Sequence, residues 1–438
     1  MNPLSVKLLQ NLTPWRDATT WRVAFSGGLD STVLLHLLAD LAQNHRLPLL
    51  SAVHVHHGLQ AAADAWPSHC QAVCAALGVP LQVVHVQVRA GASLERAARE
   101  ARYGAFAGLT QANELLLTAQ HRDDQAETLL FRLLRGAGVR GLSAMPDCRP
   151  LGRGHLLRPL LSASRAELER YAVEHRLTWV EDPSNADPQY SRNYLRHQVM
   201  PSLLARWPQA VASMSRSAAH LNEAQGLLDD LARMDLAAAE GGGDFPWLGL
   251  PSLALAPLQH LSPARQRNAL SHWLSRLTRL PDTDHWAGWE SLRDAAGSGQ
   301  PLWRLADGEL RRGGGRIWWL SGPWLQPIGE GAQWVDPLNP LPLPGNGYVC
   351  FSGQAPGGPL RIRYRQGGEV MQLGGRGHRD LKRLLNESGL PSFARGRLPL
   401  LYQEERLLAA ANLPGFGANA QAEWQLHWMP PTSDQGLS

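Results

Sequence analysis

The residues best suited to chemistry come early, in Ser26-Gly27-Gly28-Leu29-Asp30-Ser31. Two adjacent glycines let a backbone approach a ligand closely and adopt positive φ, and the serines add hydroxyl donors beside the unpaired amides of a helix N-terminus. Such a turn binds phosphate. No Gly-Lys-Ser/Thr follows it and the Gly-x-Gly-x-x-Gly spacing is missing, so it is neither a Walker loop nor a dinucleotide fingerprint. Asp30 would repel a bare phosphate, which makes sense if a divalent cation bridges the two. A second cluster, Gln120-His121-Arg122-Asp123-Asp124-Gln125-Ala126-Glu127, sets His121, Asp124 and Glu127 at spacings of three. One acid there can cap a helix; two acids, a histidine and Glu127 together point to catalysis or substrate binding. A third dense polar stretch is Glu181-Asp182-Pro183-Ser184-Asn185 with Asp187, Tyr190, Arg192, Asn193 and Arg196, suited to an anionic or amino-acid substrate.

Each cluster must be held by a regular element. Val23-Ala24-Phe25 reads as a buried strand and Thr32 to Leu38 as the helix after it. Leu49 to His57 is a second strand, 61–77 a helix, Leu81 to Val86 a third strand, 94–110 a helix, Leu115 to Ala119 a fourth strand, and Gln125 to Leu134 a helix. Strands alternating with helices of this length predict βαβ units and a doubly wound parallel sheet covered on both faces. Ligands of such sheets sit beyond the carboxyl ends of the strands, where Ser26–Ser31, His54–Gly58 and Gln120–Glu127 fall. His54 and His56 share one side of their strand; without a third ligand at metal spacing, a strand tip facing nucleotide is the better reading than zinc. Ser164-Arg165-Ala166-Glu167 is a capping box opening an amphipathic, structural helix, and Trp179-Val180 reads as a short strand.

The chain has 438 residues, enough for two or three domains, and a net charge of +4. No apolar run is long enough for a membrane span, and the N-terminal stretch lacks the pattern of a signal peptide, so a cytoplasmic location is expected. The four cysteines are too scattered for a disulfide scaffold, and Cys70 and Cys74 read as buried thiols on one helix face. Only Lys7 and Lys382 are lysines. Arginine carries the remaining positive charge, which suits bidentate phosphate contacts, although a compositional bias would produce the same excess.

Ser26–Ser31 resembles the pyrophosphate loop of the N-type ATP pyrophosphatases. Together with His54-Val55-His56-His57-Gly58-Leu59, Gln120–Thr128, Arg158-Pro159-Leu160-Leu161 and Glu181–Arg196, and with Gly374–Lys382 and Arg397–Leu401 near the C-terminus, the order and spacing resemble the bacterial tRNA(Ile)-lysidine synthetase family. The resemblance implies an α/β PP-loop domain of the adenine nucleotide alpha-hydrolase-like type over 1–200, a mostly helical middle domain over 201–335 and a small basic α+β domain, with its linker, over 336–438. It implies an ATP- and Mg2+-dependent ligase that adenylylates the wobble cytidine of the CAU-anticodon isoleucine tRNA and joins L-lysine to its C2, changing the codon read from AUG to AUA. In that scheme Ser26, Gly27, Gly28, Leu29, Asp30, Ser31, His54 and His56 bind ATP, Asp30 also holds magnesium, and Asp30, His121, Asp124 and Glu127 are catalytic, His121 moving the proton that lysine loses. Arg192, Asn193 and Arg196 face the substrate. Arg361, Arg363, Arg365, Arg379 and Lys382 bind tRNA. Many members carry a second histidine where Gln120 stands, so Gln120 is given no catalytic role. A homodimer is compatible with this scheme, and no membrane partner is expected.

The later chain supports an RNA partner. Pro201 to Asp235 is amphipathic; 245–320 mixes helical and strand-like stretches whose tryptophans read as core; Pro323 to Gly347 reads as an interdomain linker. Beyond it, between Arg361 and Arg397, nine basic residues face three acids, Glu369, Asp380 and Glu387, the electrostatic footprint of nucleic acid. Arg361, Arg363 and Arg365 alternate as on one face of a strand. A sulfur-inserting tRNA enzyme is the nearest rival, but there is no Cys-x-x-Cys; an amidotransferase would need a second catalytic domain with a cysteine nucleophile. A non-catalytic RNA-binding protein would differ from all of these in releasing no pyrophosphate.

Overall fold

The computed structural model describes residues 2–58, 61–88, 94–281, 283–295, 299, 301–373, 377–413 and 423–432. Leu59, Gly374, Gly375 and Arg376, which the motifs above include, lie outside them. The chain divides into two compact units, 1–226 and 227–436, and the boundary falls within one helix, Ala210–Glu240.

The first unit begins with helix α1 (Pro3–Leu12) and continues as β1 (Thr20–Ala24), α2 (Leu29–Asn44), β2 (Leu49–His56), α3 (Trp66–Ala76), β3 (Leu81–His85), α4 (Leu94–Leu109), β4 (Glu114–Leu117), α5 (Arg122–Leu133), α6 (Val139–Leu142), β5 (Cys148–Leu151), β6 (Gly154–Leu157) and α7 (Arg165–Glu174). Six strands form one sheet in the order β3-β2-β1-β4-β6-β5. All neighbours are parallel except the edge pair β5 and β6. Strand alternation sends successive side chains to opposite faces. Val23, Ala52, Leu115 and Leu117 meet α1, α2, α3 and α7 in one core, while Val53, Leu116 and Leu156 meet Phe106 of α4 in another. The expected doubly wound parallel sheet is therefore present, and the β5–β6 hairpin is an addition to it. Trp179-Val180 corrects the expectation of a strand: the segment has no strand pairing, and the Val180 amide donates instead to the Gly27 carbonyl (2.9 Å). Past it come a 3-10 turn at Pro183–Ala186, the short helix α8 (Ser191–Tyr194), a π-helical turn at Leu195–Val199 and α9 (Met200–Arg206).

In the second unit a helical region (Leu255–Gln259, Pro263–Leu274 and Ala287–Asp294) packs on an antiparallel sheet of β7 (Ser252–Ala254), β8 (Leu302–Arg304), β9 (Glu309–Gly313) and β10 (Arg316–Leu320). Trp289, Trp303, Trp318 and Trp319 are buried, as the core reading expected. The C-terminal region is β-rich, with two helical segments, Leu381–Glu387 and Ser392–Arg395. The stretch 323–347 is no bare linker: Trp324, Trp334 and Leu343 are buried in the C-terminal core. Among the described residues no helix is long and apolar enough to cross a membrane.

Candidate active site

The turn after β1 carries the phosphate-binding candidates. Gly27 has φ +83°, and a Cβ there would lie 3.0 Å from Cys70 Sγ and 3.1 Å from Val180 Cγ2. Only glycine fits without strain. The Ser26 and Ser31 hydroxyls lie 3.0 Å apart, Ser31 Oγ donates to the Gly28 carbonyl (3.0 Å), and the Gly28 amide donates to Ser26 Oγ (3.3 Å). These bonds hold the loop open around the first turn of α2, whose amides face the cleft.

Below the loop His54 is buried. Its Nδ1–H donates to the Phe25 carbonyl (2.9 Å), and burial keeps the ring neutral by pushing its pKa down. His54, Val55 and His57 line the cleft. His56 does not: its ring sits 3.3 Å from Asp64 and 5.1 Å from His85. Cys70, 3.4 Å from His54 Nδ1, and Cys74 are buried thiols, and burial pushes their pKa values up to about 12 and about 11, which leaves them inert.

The second cluster sits where α5 begins. His121 caps the helix, its backbone N–H donating to Asp124 Oδ2 (3.1 Å) and its Nδ1 lying 3.4 Å from the Asp124 amide. The His121 ring is 1% exposed and lies within 3.4–3.7 Å of Asp30, Asp123 and Asp124. Burial opposes its charge, but the carboxylates outweigh burial and push its pKa up to about 10. An imidazolium donates from both nitrogens, and Asp123 Oδ2 lies 3.7 Å from Nδ1. Burial likewise works against ionisation of Asp30, yet His121 and Arg165 hold its carboxyl below the usual range. Arg165, at the start of α7, reaches Asp30 Oδ2 (3.3 Å), and its amide donates to Asp123 Oδ2 (2.9 Å). Acids in the first turns of α2 and α5 are also favoured by the helix dipoles.

One turn along α5 lies Glu127, 4% exposed. Arg196 grips it with two bonds (2.7 and 2.8 Å) and reaches Asp124 Oδ1 (2.9 Å). Arg192 bonds the same pair (3.0 and 3.3 Å). The α8 segment and its π-helical turn, a distortion frequent at functional sites, thus deliver two guanidinia to two acids. Asn193 stays outside the cleft and donates to the Ser184 and Asp187 carbonyls (2.8 and 2.9 Å), pinning the loop. The PP-loop turn, Asp30, Asp124, Glu127, Arg165, Arg192 and Arg196 all line one cleft of about 930 Å3.

Asp30 Oδ1 is buried without a hydrogen-bond partner. A hard cation needs such an oxygen, and magnesium in nucleotide sites takes few protein ligands beside phosphates and water. The residues present therefore fit magnesium. No cluster of three or more His, Cys, Asp or Glu placed to hold a metal occurs among the described residues.

Arg165 is the residue that sequence reasoning missed. Its capping box read as structural, which it is, since Ser164 and Glu167 bond reciprocally; nothing in the spacing announced that the arginine between them reaches Asp30. In the C-terminal region Arg361, Arg379 and Lys382 are exposed. Arg363 pairs with Glu405 (2.7 Å) and Arg365 lies 3.7 Å from Glu369, so among the described residues Arg361 is the arginine of the alternating row with no ion pair.

A phosphate turn at the switch of a parallel sheet, with acids and guanidinia beyond the strand ends, defines a PP-loop domain, and the family description of that name matches residues 2–203. Descriptions of a TilS substrate binding domain and a TilS substrate C-terminal domain match 253–318 and 360–428. The chain belongs to the tRNA(Ile)-lysidine synthase family: it is 68% identical to the tRNA(Ile)-lysidine synthase of Pseudomonas fluorescens (strain Pf0-1), over 99% of this chain and 98% of the relative. The protein of the same name from Pseudomonas aeruginosa is 64% identical over 100% and 99%, and that of Coxiella burnetii 38% over 97% and 96%. The family expected from the motifs is the family found.

Proposed function

We propose that the chain is an ATP-dependent ligase that joins L-lysine to C2 of the wobble cytidine in the CAU-anticodon isoleucine tRNA. The observation that carries this is the joining, in one cleft, of a pyrophosphate turn to a buried acid pair already matched to cations. The cytidine O2 attacks the α-phosphorus of ATP, the bond to the β-phosphate oxygen breaks and pyrophosphate leaves. The lysine ε-amine then attacks C2, AMP departs with O2, and the nitrogen loses its proton.

Ser26, Gly27, Gly28, Leu29 and Ser31 hold the departing pyrophosphate, and His54, by fixing the Phe25 carbonyl, fixes the base of the turn. Asp30 would hold magnesium through its unpartnered oxygen, and the ion would neutralise charge on the leaving group. Arg165 keeps Asp30 ionised. Asp124 and Glu127 accept the cationic ends of lysine, with Arg192 or Arg196 released to the substrate's carboxylate. His121, already protonated, cannot take lysine's proton; it supplies positive charge between Asp30 and Asp123, and the proton passes to the Asp124–Glu127 pair. Catalysis falls to 1–200, with 201–335 and 336–438 grasping tRNA, Arg361, Arg379 and Lys382 among the contacts. A cytoplasmic site of action and a homodimer complete the proposal, and light scattering tests the dimer.

The deciding experiment is incorporation of labelled lysine into purified CAU-anticodon isoleucine tRNA with ATP and magnesium. Incorporation is expected, and loss of at least 100-fold in Asp30→Ala, the order seen when one group stabilising a leaving or developing charge is removed. Pyrophosphate release without lysine incorporation would assign a different nucleophile; no release would leave an RNA-binding protein.

A further inference from the structure

On the side of the cleft formed by α4, arginines gather around one tyrosine. Arg99 Cζ lies 4.8 Å and Arg149 Cζ 5.1 Å from the centre of the Tyr103 ring, and Arg99 Nη2 reaches the Tyr103 hydroxyl (3.5 Å). Arg158, just after β6, and Arg102 both act on Tyr103 through their charge. Arg99 and Arg102 repel each other, and Arg102 in turn feels Arg192 in the cleft. Four guanidinia thus come from α4, the edge strand β5 and the end of β6, a meeting that only the fold creates.

None of the four has an ion pair among the described residues. Asp147 feels the charge of Arg158, but no ion pair joins them. By contrast Arg96, one turn earlier on α4, pairs with Glu100 (2.7 Å). Arg158 is 5% exposed, donates from Nη1 to the Pro146 carbonyl (2.6 Å), and leaves Nε buried without a partner. Like charges brought together without acids raise the energy of the free protein, and an anionic ligand is what relieves them. The four positive charges depress the Tyr103 pKa although burial pushes it up, the field a bound anion would feel.

We propose that Arg99, Arg102 and Arg149, with the charge of the buried Arg158 behind them, form a site for the phosphodiester backbone of the RNA substrate, guiding the strand over α4 into the cleft, with the Tyr103 ring as its floor. The site is continuous with the catalytic cleft, because Arg102, Tyr103 and Phe106 line it. Backbone phosphates suit it better than the triphosphate of ATP: the nucleotide has its own phosphate turn, and arginines spread over three elements match successive phosphates of a strand. This rests on the proposed function only in taking RNA as the substrate.

The test is the affinity of the full-length protein for CAU-anticodon isoleucine tRNA, measured without ATP or lysine across 50–300 mM salt, so that it reads out whether or not ligation occurs. Arg99 is exposed and Arg149 partly so, so the double variant Arg99→Gln/Arg149→Gln avoids the buried Arg158, and an unchanged thermal midpoint certifies its fold. Tenfold or weaker binding is expected, with the slope of log Kd against log salt reduced by about 1.4, two single-strand phosphate contacts. Arg96→Gln is the control and should leave the slope alone. An unchanged slope in the double variant, an equal loss in Arg96→Gln, or a fall in ATP affinity with tRNA affinity intact would overturn the assignment. Failure of the labelled-lysine experiment with an intact salt slope would overturn the ligase reading and leave this site standing.

Discussion

Buried carboxylates are tolerated only when their charge is answered, and in the cleft Asp30, Asp123, Asp124 and Glu127 are answered by Arg165, Arg192, Arg196 and His121. His121 is the member that titrates. Its pKa rises from the ordinary 6.5 to about 10 in the folded protein, so its contribution to stability is fully present below pH 6.5 and is lost as pH rises through about 10. Thermal midpoints measured from pH 6 to 10.5 should fall along this limb, and His121→Gln should flatten it; equal slopes in the two proteins would show that His121 is neutral when folded. Asp30, Asp124 and Glu127 were legible because each follows a predicted strand end at helical spacing. Arg165 was not, because its partner lies far away in sequence and local pattern carries no trace of such pairing. His56 was expected to face nucleotide beside His54, but its side chain lies beside His85 and Asp64 and does not line the cleft.

Helix α7 shows how an ordinary structural device serves a site. Ser164 and Glu167 form its capping box, and Glu167 also takes a bond from Lys7 (2.9 Å). Burial works against the charge of Glu167, but the Ser164 amide and Lys7 hold its pKa at about 2, so the cap is intact above the ordinary 4.5 and lost as pH falls toward 2. Ser164→Ala should lower stability by about 1 kcal/mol in urea unfolding, and because Arg165 is the next residue it should also weaken ATP binding. Loss of stability with full ATP affinity would separate Arg165 from the cap. The parallel strands and their helices were legible from apolar runs and turn residues. The β5–β6 hairpin was not, since Pro150 and Gly152 read as loop and Pro is tolerated only because β5 is an edge. Trp179-Val180 looked like a strand because its composition is that of one; its single backbone bond goes to the phosphate turn.

The two units have separate cores, and the cleft proposed to take ATP lies in the first. Scanning calorimetry should therefore resolve a component that ATP with magnesium shifts, by about 2.7 kcal/mol at a hundred times Kd, and one that it leaves in place. A single transition moving as a whole would show that the chain unfolds as one body. Within the first unit, the stretch that presents Arg192 and Arg196 begins at Val180, whose amide is fastened to Gly27 of the phosphate turn. In the proposed mechanism nucleotide and amino acid therefore share a mechanical joint. Linkage makes any influence through such a joint reciprocal: by whatever factor ATP changes the hold on lysine, lysine changes the hold on ATP by the same factor, and this coupling cannot be altered in one direction alone.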